Sequence, residues 1–294
     1  MMNKTLLGSI YLAVASSIWG GMYVVVKVVV SVIPPLELVW LRYLVAMIAL
    51  LVIGLITKQN WRIRKRDIML IVAIGFIGYA ISIVAQEIGT MLSTAQMGAI
   101  ITSSTPVFMV IFAWLILKER VTLKQGISIV LATMGVFLII GVGNFELSSK
   151  LGGIALLIAA LTWALMSVLV MRVPSDYSQI VIITYSILVA LILLTPFVLP
   201  RLPDLDMAQL AHPKIWGGIL YLGVVSTAGG FLLWNRGLQL LNVSSGGLFF
   251  FFQPLVGTFL GWLLLEETIG VMFWIGATLI LTGVLFVIME KKRA

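Results

Sequence analysis

A pattern set down twice constrains this chain more than any single residue does. Pro106, Trp114, Glu119 and Gly135 recur as Pro254, Trp262, Glu267 and Gly283, each 148 positions later. Across 106–140 and 254–288, 10 of 35 positions agree. Shared aliphatics would carry little weight here, but a proline, a tryptophan, an acid and a glycine in one register do. A second echo lies upstream, where Gly8 and Trp19 are 11 apart, as are Gly152 and Trp163. An internal duplication sets the architecture before any motif is read. The two units are expected to divide the chain at 1–145 and 146–294.

Composition says which solvent the duplicated unit faces. Of 294 residues, 61% are hydrophobic and 10% charged, and the mean hydropathy is +1.17. In water the surplus would stand as aggregation-prone patches, whereas a bilayer accepts it. Enzyme readings fail one after another. There is no cysteine, so disulfides and thiolate metal sites are excluded, and His212 is the only histidine. Asp67, Asp176, Asp204 and Asp206 fall in predicted loops, and neither a His-Glu-x-x-His nor a phosphate-binding Gly-x-x-x-x-Gly-Lys motif is present. We therefore expect no catalytic residue, no metal site, no cofactor and no enzyme.

Apolar runs of about 20 residues are candidate membrane helices. Ten are predicted, at 6–30, 36–57, 67–89, 94–117, 124–142, 151–172, 178–199, 214–235, 243–265 and 270–289. The first resembles a signal peptide, but its apolar run continues past Trp19 to about Val30, long enough to span, so it is read as a retained helix. With the N-terminus in the cytosol, 14 of the 19 Lys and Arg fall on that side and 5 on the other. Both termini are thus expected in the cytosol, and the net charge of +8 is topology and lipid contact, not nucleic-acid binding. Five helices per unit return the chain to the opposite face, so the second unit is inserted upside down. The expected fold is an all-α integral membrane protein of ten transmembrane helices in two inverted five-helix repeats. Inverted repeats are a recurrent basis for alternating access about a midplane site.

Ionisable groups inside the slab are costly unless paired or hydrated. Lys27, Glu37, Arg42 and Glu87 map to the outer side of the first three helices. A hydrated vestibule with an Arg42–Glu87 pair is one reading; snorkelling of Lys27 and Glu37 to the headgroups is the other. Gln86, Gln96, Asn235 and Gln253 place amides in apolar spans, where each needs a partner from a helix or a substrate. Trp19, Tyr79, Trp163 and Trp234 are candidate cavity walls or interfacial anchors, and Trp114 and Trp262 are read as anchors. Pro106 and Pro254 are expected mid-helix, as hinges beside the cavity or static kinks. The 249–252 phenylalanine run is expected to face lipid and pack the core. Gly257-x-x-x-Gly261 permits close helix contact without implying a dimer, and the oligomeric state is not read from it.

Trp19-Gly20, Lys27, Pro34-Pro35 and Arg42, then Pro106 through Glu119-Arg120 and the Pro254…Glu267 echo, together resemble the EamA-type family of the drug/metabolite transporter superfamily. The likeness spans essentially the whole chain; one departure is Met22, where members often carry a polar residue. The resemblance implies a multi-pass carrier of the plasma or inner membrane that exports amino acids or similar metabolites from a central cavity. The expected cavity set is Trp19, Tyr79, Gln86, Trp163, Trp234 and Gln253, with Lys27, Arg42, Glu87, Pro106 and Pro254 serving electrostatics and gating. The expected partners are a small solute and the bilayer. Efflux of lipophilic drugs is the alternative on the same fold. A scaffold or receptor role is disfavoured, because the longest predicted loop, 199–214, offers little soluble surface.

Overall fold

The computed structural model describes residues 4–93, 98, 101–140, 147–210, 212–265 and 271–290. Gln96, Glu267, Lys291, Lys292 and Arg293 lie outside these, as does the side chain of Trp262. Every element among the described residues is helical. In chain order they are α1 (Lys4–Val29), α2 (Pro35–Ile56), α3 (Lys65–Leu92), α4 (Thr105–Leu117) and α5 (Leu123–Ile140). The second half supplies α6 (Leu147–Val170), α7 (Gln179–Val198) and α8 (Pro213–Leu240). Then follow α9, in consecutive pieces Val243–Gly247, Leu248–Phe251 and Phe252–Leu265, and α10 (Val271–Glu290).

Among the described residues, six helices are long and apolar enough to cross a membrane, and three shorter apolar ones accompany them. Their ends follow from local chemistry. Pro35 opens α2 with its φ already helical and no N–H to lose. Ser178 caps α7 by accepting from the Ile180 amide, and Asn242 caps α9 by accepting from the Ser245 amide at 2.9 Å. Outward-facing Ile48, Leu55, Met69, Ile192 and Phe197 are exposed large hydrophobics, suited to acyl chains. The Pro-rich connection after α7 coils into two short turns, Leu199–Asp204 and Met207–Leu210.

The duplication is visible in the packing. Ser128 on α5 donates to the Gly283 carbonyl on α10 at 2.5 Å, and a Cβ at Gly135 would lie 2.5 Å from the Gly276 carbonyl. Positions 128 and 276, like 135 and 283, are 148 apart, so the contact is reciprocal. Its order is reversed along the two helices, which makes α5 and α10 antiparallel. Two further reciprocal pairs lock the halves together. Gly8 of α1 meets Gly237 of α8 as Gly152 of α6 meets Gly89 of α3. Gly75 of α3 meets Ser186 and Val189 of α7 as Gly223 of α8 meets Arg42 and Val45 of α2. Small residues at these crossings let backbones approach, which is how helices associate where no hydrophobic force separates them from lipid.

Both α3 and α8 carry a π-helical stretch at corresponding places, Gly75–Ser82 and Tyr221–Gly229. Such widened turns are uncommon and often mark functional sites. Three expectations are corrected here. Pro106 and Pro254 do not sit in the middle of continuous helices. The chain turns at Ser103 and Ser104 and α4 begins at Thr105, while a 3₁₀ turn over Leu248–Phe251 precedes the last piece of α9. A proline cannot donate to the preceding turn, so each break falls where the ladder lacks a donor. Glu37 is buried, not snorkelled, with Arg201 at 3.9 Å. Phe249, Phe250 and Phe251 are buried and Phe252 half-buried, so the run faces the protein interior and not lipid.

Candidate functional site

Between the halves lies a narrow cleft. Its wall is built from repeat equivalents: Trp19 with Trp163, Ile83 with Phe231, Thr102 with Phe250, and Thr105 with Gln253. Both broken turns, the one before Pro106 and the one before Pro254, therefore contribute to the wall. Met22, Tyr23, Arg42 and Gln86 add an edge from the first half only.

Trp19 is the hub. Its ring centroid lies 5.2 Å from Trp163, edge-on, 5.3 Å from Trp234, 5.7 Å from Phe250 and 6.0 Å from Phe231. These are favourable aromatic separations. The Trp19 indole N–H donates to the Ser226 carbonyl at 3.0 Å, which fixes the ring. Trp163 differs, because its indole N–H is buried without a partner. Tyr23 and Thr102 share a hydroxyl contact of 2.8 Å, and Thr102 reaches Gln253 Oε1 at 3.4 Å. The cavity thus combines flat apolar walls with a few polar groups, the usual make-up of a small-molecule site.

Arg42 and Glu87 form an ion pair of 2.5 Å, and both side chains are fully buried. Arg42 Nε also donates to Thr227 Oγ1 at 3.0 Å, and Nη2 approaches Ser226 Oγ at 3.4 Å. Two desolvated charges survive inside a membrane protein only if geometry and extra hydrogen bonds offset their lost hydration. The arrangement leaves the cavity wall with no net charge. Glu87 Oε2 remains buried without a partner.

The other candidates occupy different places. Trp234 packs behind the lining, 4.6 Å from Phe250, with its N–H directed to Ser167 Oγ at 3.3 Å. Tyr79 lies behind Phe231, ring to ring at 5.0 Å. Lys27 is exposed and donates to the carbonyls of Thr90, Met91 and Ser93, closing the C-terminal end of α3 as a cation there should. Glu119 accepts from the Val243 and Ser244 amides at 3.2 and 3.1 Å and from Ser244 Oγ at 2.6 Å, pinning the end of α4 to the start of α9. Phe231 and Thr102 are lining residues that sequence reasoning did not single out, and Phe250 lines the wall although its run was expected to face lipid and pack the core. The signal was present, since the 148-residue offset carried upstream pairs Ile83 with Phe231 and Thr102 with Phe250.

Interlocked apolar helices, six of them among the described residues long enough to cross a bilayer, define an all-α multi-pass membrane protein. The EamA-like transporter family model matches residues 6–141 and 150–289, and the chain belongs to that family of membrane transporters. It is 26% identical over 96% of its length to an uncharacterized transporter of Archaeoglobus fulgidus, covering 99% of that protein. It is 25% identical over its full length to the uncharacterized transporter YetK of Bacillus subtilis, covering 90% of it. The permease-like protein YdzE of Bacillus subtilis is 74% identical over 74 residues, which are 95% of that protein and 25% of this chain. A crystal structure superposes with a TM-score of 0.80 over 97% of this chain and 98% of that one, at 16% identity, which speaks for the fold alone.

Proposed function

We propose that this transporter is a secondary carrier of the plasma or inner membrane. It exports a small organic solute, an amino acid or a related metabolite, by alternating access through the central cavity. The observation that carries the reading is the cavity wall itself: repeat-equivalent residues from the two halves face one narrow space. In such an arrangement each half adopts in turn the shape of the other, and the space between them opens to one face and then the opposite one.

In this reading Trp19 and Trp163 hold the apolar body of the solute, with Trp234 and Tyr79 backing them. Gln86 and Gln253 orient its polar groups. The neutralised Arg42–Glu87 pair favours a solute without net charge, which includes a zwitterion. The broken turns ahead of Pro106 and Pro254 supply the places where the wall gives way. Purified protein in liposomes, loaded with a labelled amino-acid and metabolite library, tests this directly. Release of at least one zwitterionic solute above protein-free vesicles is expected; release of none across the library would sink the assignment. The aromatic wall also supports a second reading, export of lipophilic compounds. Growth protection against lipophilic cations together with an absence of metabolite release would select it.

A further inference from the structure

Away from the central cleft, α3 of the first half and α7 of the second touch where a Cβ at Gly75 would lie 2.7 Å from the Ser186 carbonyl. Beside that crossing an apolar groove of about 350 Å³ runs along the pair, with Ile63, Ile68 and Val72 on one bank and Tyr185, Leu188 and Ile192 on the other. Ile68, Val72, Leu188 and Ile192 are exposed, so the groove is open along one side. From Tyr185 to Ile192 it follows roughly 10 Å of helix. Its mouth carries the marks of a membrane surface. Tyr185 donates its hydroxyl to the Trp61 carbonyl at 2.9 Å, and the two rings stand 6.3 Å apart, a pairing at home among lipid headgroups.

The connection that holds Trp61 is strongly basic. Residues 58–67 carry Lys58, Arg62, Arg64, Lys65 and Arg66 against Asp67 alone, whereas the corresponding connection between α7 and α8, 199–214, sets Arg201 and Lys214 against Asp204 and Asp206. Internal pairing uses only part of this charge. Arg64 is engaged by Asp67 at 2.9 Å, by Asp176 at 3.0 Å and by the Tyr177 hydroxyl at 3.0 Å. Arg66 stands 3.7 Å from the same Asp67, beyond hydrogen-bond reach. Arg62 and Lys65 are exposed and, among the described residues, pair with no acid. Lys65 shares the groove's face of α3, three residues before Ile68 and seven before Val72, and Arg62 adjoins Ile63.

Topology alone gathers cations on one side of a membrane, but it does not set them at the mouth of an open apolar groove. Basic clusters between membrane helices recognise anionic headgroups. We propose that this groove is a binding site for an anionic phospholipid. One acyl chain lies between α3 and α7, and Arg62, Lys65 and Arg66 hold the headgroup phosphate. The lipid spans the boundary between the two halves and so steadies their contact at this end. The site is independent of what the cleft carries.

The test measures lipid affinity by native mass spectrometry, and protection by thermal unfolding in detergent. The probes are dioleoyl phosphatidylglycerol, dioleoyl phosphatidylcholine and glycerophosphoglycerol, which is the anionic headgroup without chains. Wild type is expected to bind phosphatidylglycerol more tightly than phosphatidylcholine, to melt later with it, and to gain nothing from glycerophosphoglycerol. Arg62→Gln and Lys65→Gln should each weaken phosphatidylglycerol about 5-fold and together about 25-fold, with phosphatidylcholine changed less than about 2-fold. Lys214→Gln removes one cation from the corresponding connection and should leave the preference as it is. Leu188→Trp fills the groove and should weaken both lipids. Without lipid all four single variants should melt with wild type, because none of these side chains makes an internal polar bond; mass spectrometry reads the folded fraction in any case. Equal affinity of wild type for the two lipids overturns the site, as does equal protection by the chain-free headgroup. So does a preference that survives the double variant or falls as far in Lys214→Gln, and so does unchanged lipid affinity in Leu188→Trp.

Discussion

Replacing Glu87 with the residue its mirror carries, Glu87→Asn, isolates what the buried ion pair contributes. Arg42 and Glu87 are fully buried and 2.5 Å apart, and among the described residues the guanidinium has Thr227, Ser226 and Met22 as further neighbours for its N–H groups. Removing the carboxylate strands a positive charge in low dielectric, a loss of about 3–5 kcal/mol. At about 2–4 °C per kcal/mol for chains somewhat shorter than this one, the midpoint should fall by roughly 6–20 °C. The triple change Arg42→Ser, Glu87→Asn and Thr227→Tyr installs the uncharged residues of the equivalent positions in the second half, Ser186, Asn235 and Tyr79, and most of the loss should return. Unfolding followed by tryptophan fluorescence in detergent suits a chain with nine tryptophans and no cysteine for thiol dyes. A single variant that melts within about 2 °C of wild type would refute the buried-charge argument. A triple variant no better than the single would refute the mirror alignment.

Other outcomes follow from individual contacts. Gly135→Ala should destabilise by about 1–3 kcal/mol, because the new Cβ meets the Gly276 carbonyl at 2.5 Å, and reduced folded yield on size exclusion would register it. Gly126→Ala, with nothing within 4 Å, should be neutral or gain up to about 1 kcal/mol of helix propensity in the same assay. Lys27→Met should lower the melting midpoint modestly, by about 0.5–1 kcal/mol of lost helix capping, while leaving solute affinity in competition assays unchanged. A large affinity loss would instead place Lys27 in the solute path. Glu119→Gln should weaken the cap on α9 by about 0.5–2 kcal/mol, seen as faster proteolysis at the α4–α5 connection.

Much of the fold was legible because apolar length and repeat register are strong signals. The predicted run 36–57 and the helix Pro35–Ile56 differ by a residue at each end, and 178–199 and Gln179–Val198 are equally close. What the runs concealed were breaks inside continuous hydrophobicity. Nothing in the apolarity of 243–265 marks the 3₁₀ turn at Leu248–Phe251, because that turn arises from the donor missing at Pro254 and from packing against the opposite half. The site was legible as a set of residue types, less so as a place. Trp19, Gln86, Trp163 and Gln253 reach the cavity, while Tyr79 and Trp234 stand one layer back, and a helical wheel cannot tell inner lining from second layer when both are buried. Glu37 misled for a related reason. Its position near a helix end suggests snorkelling, but the short turn after α7 folds over it and brings Arg201 near.

The central claim is that two copies of one unit face the membrane in opposite senses with a solute path between them. Single thiols at Lys58→Cys, between α2 and α3, and at Asp204→Cys, between α7 and α8, test it most directly, since the chain has no native cysteine and both positions are exposed. The account predicts that an impermeant maleimide applied outside right-side-out vesicles labels the thiol at position 204 and spares that at position 58, with the pattern reversed in inverted vesicles. Labelling of both from the same face would contradict the inversion, and with it the alternating-access reading.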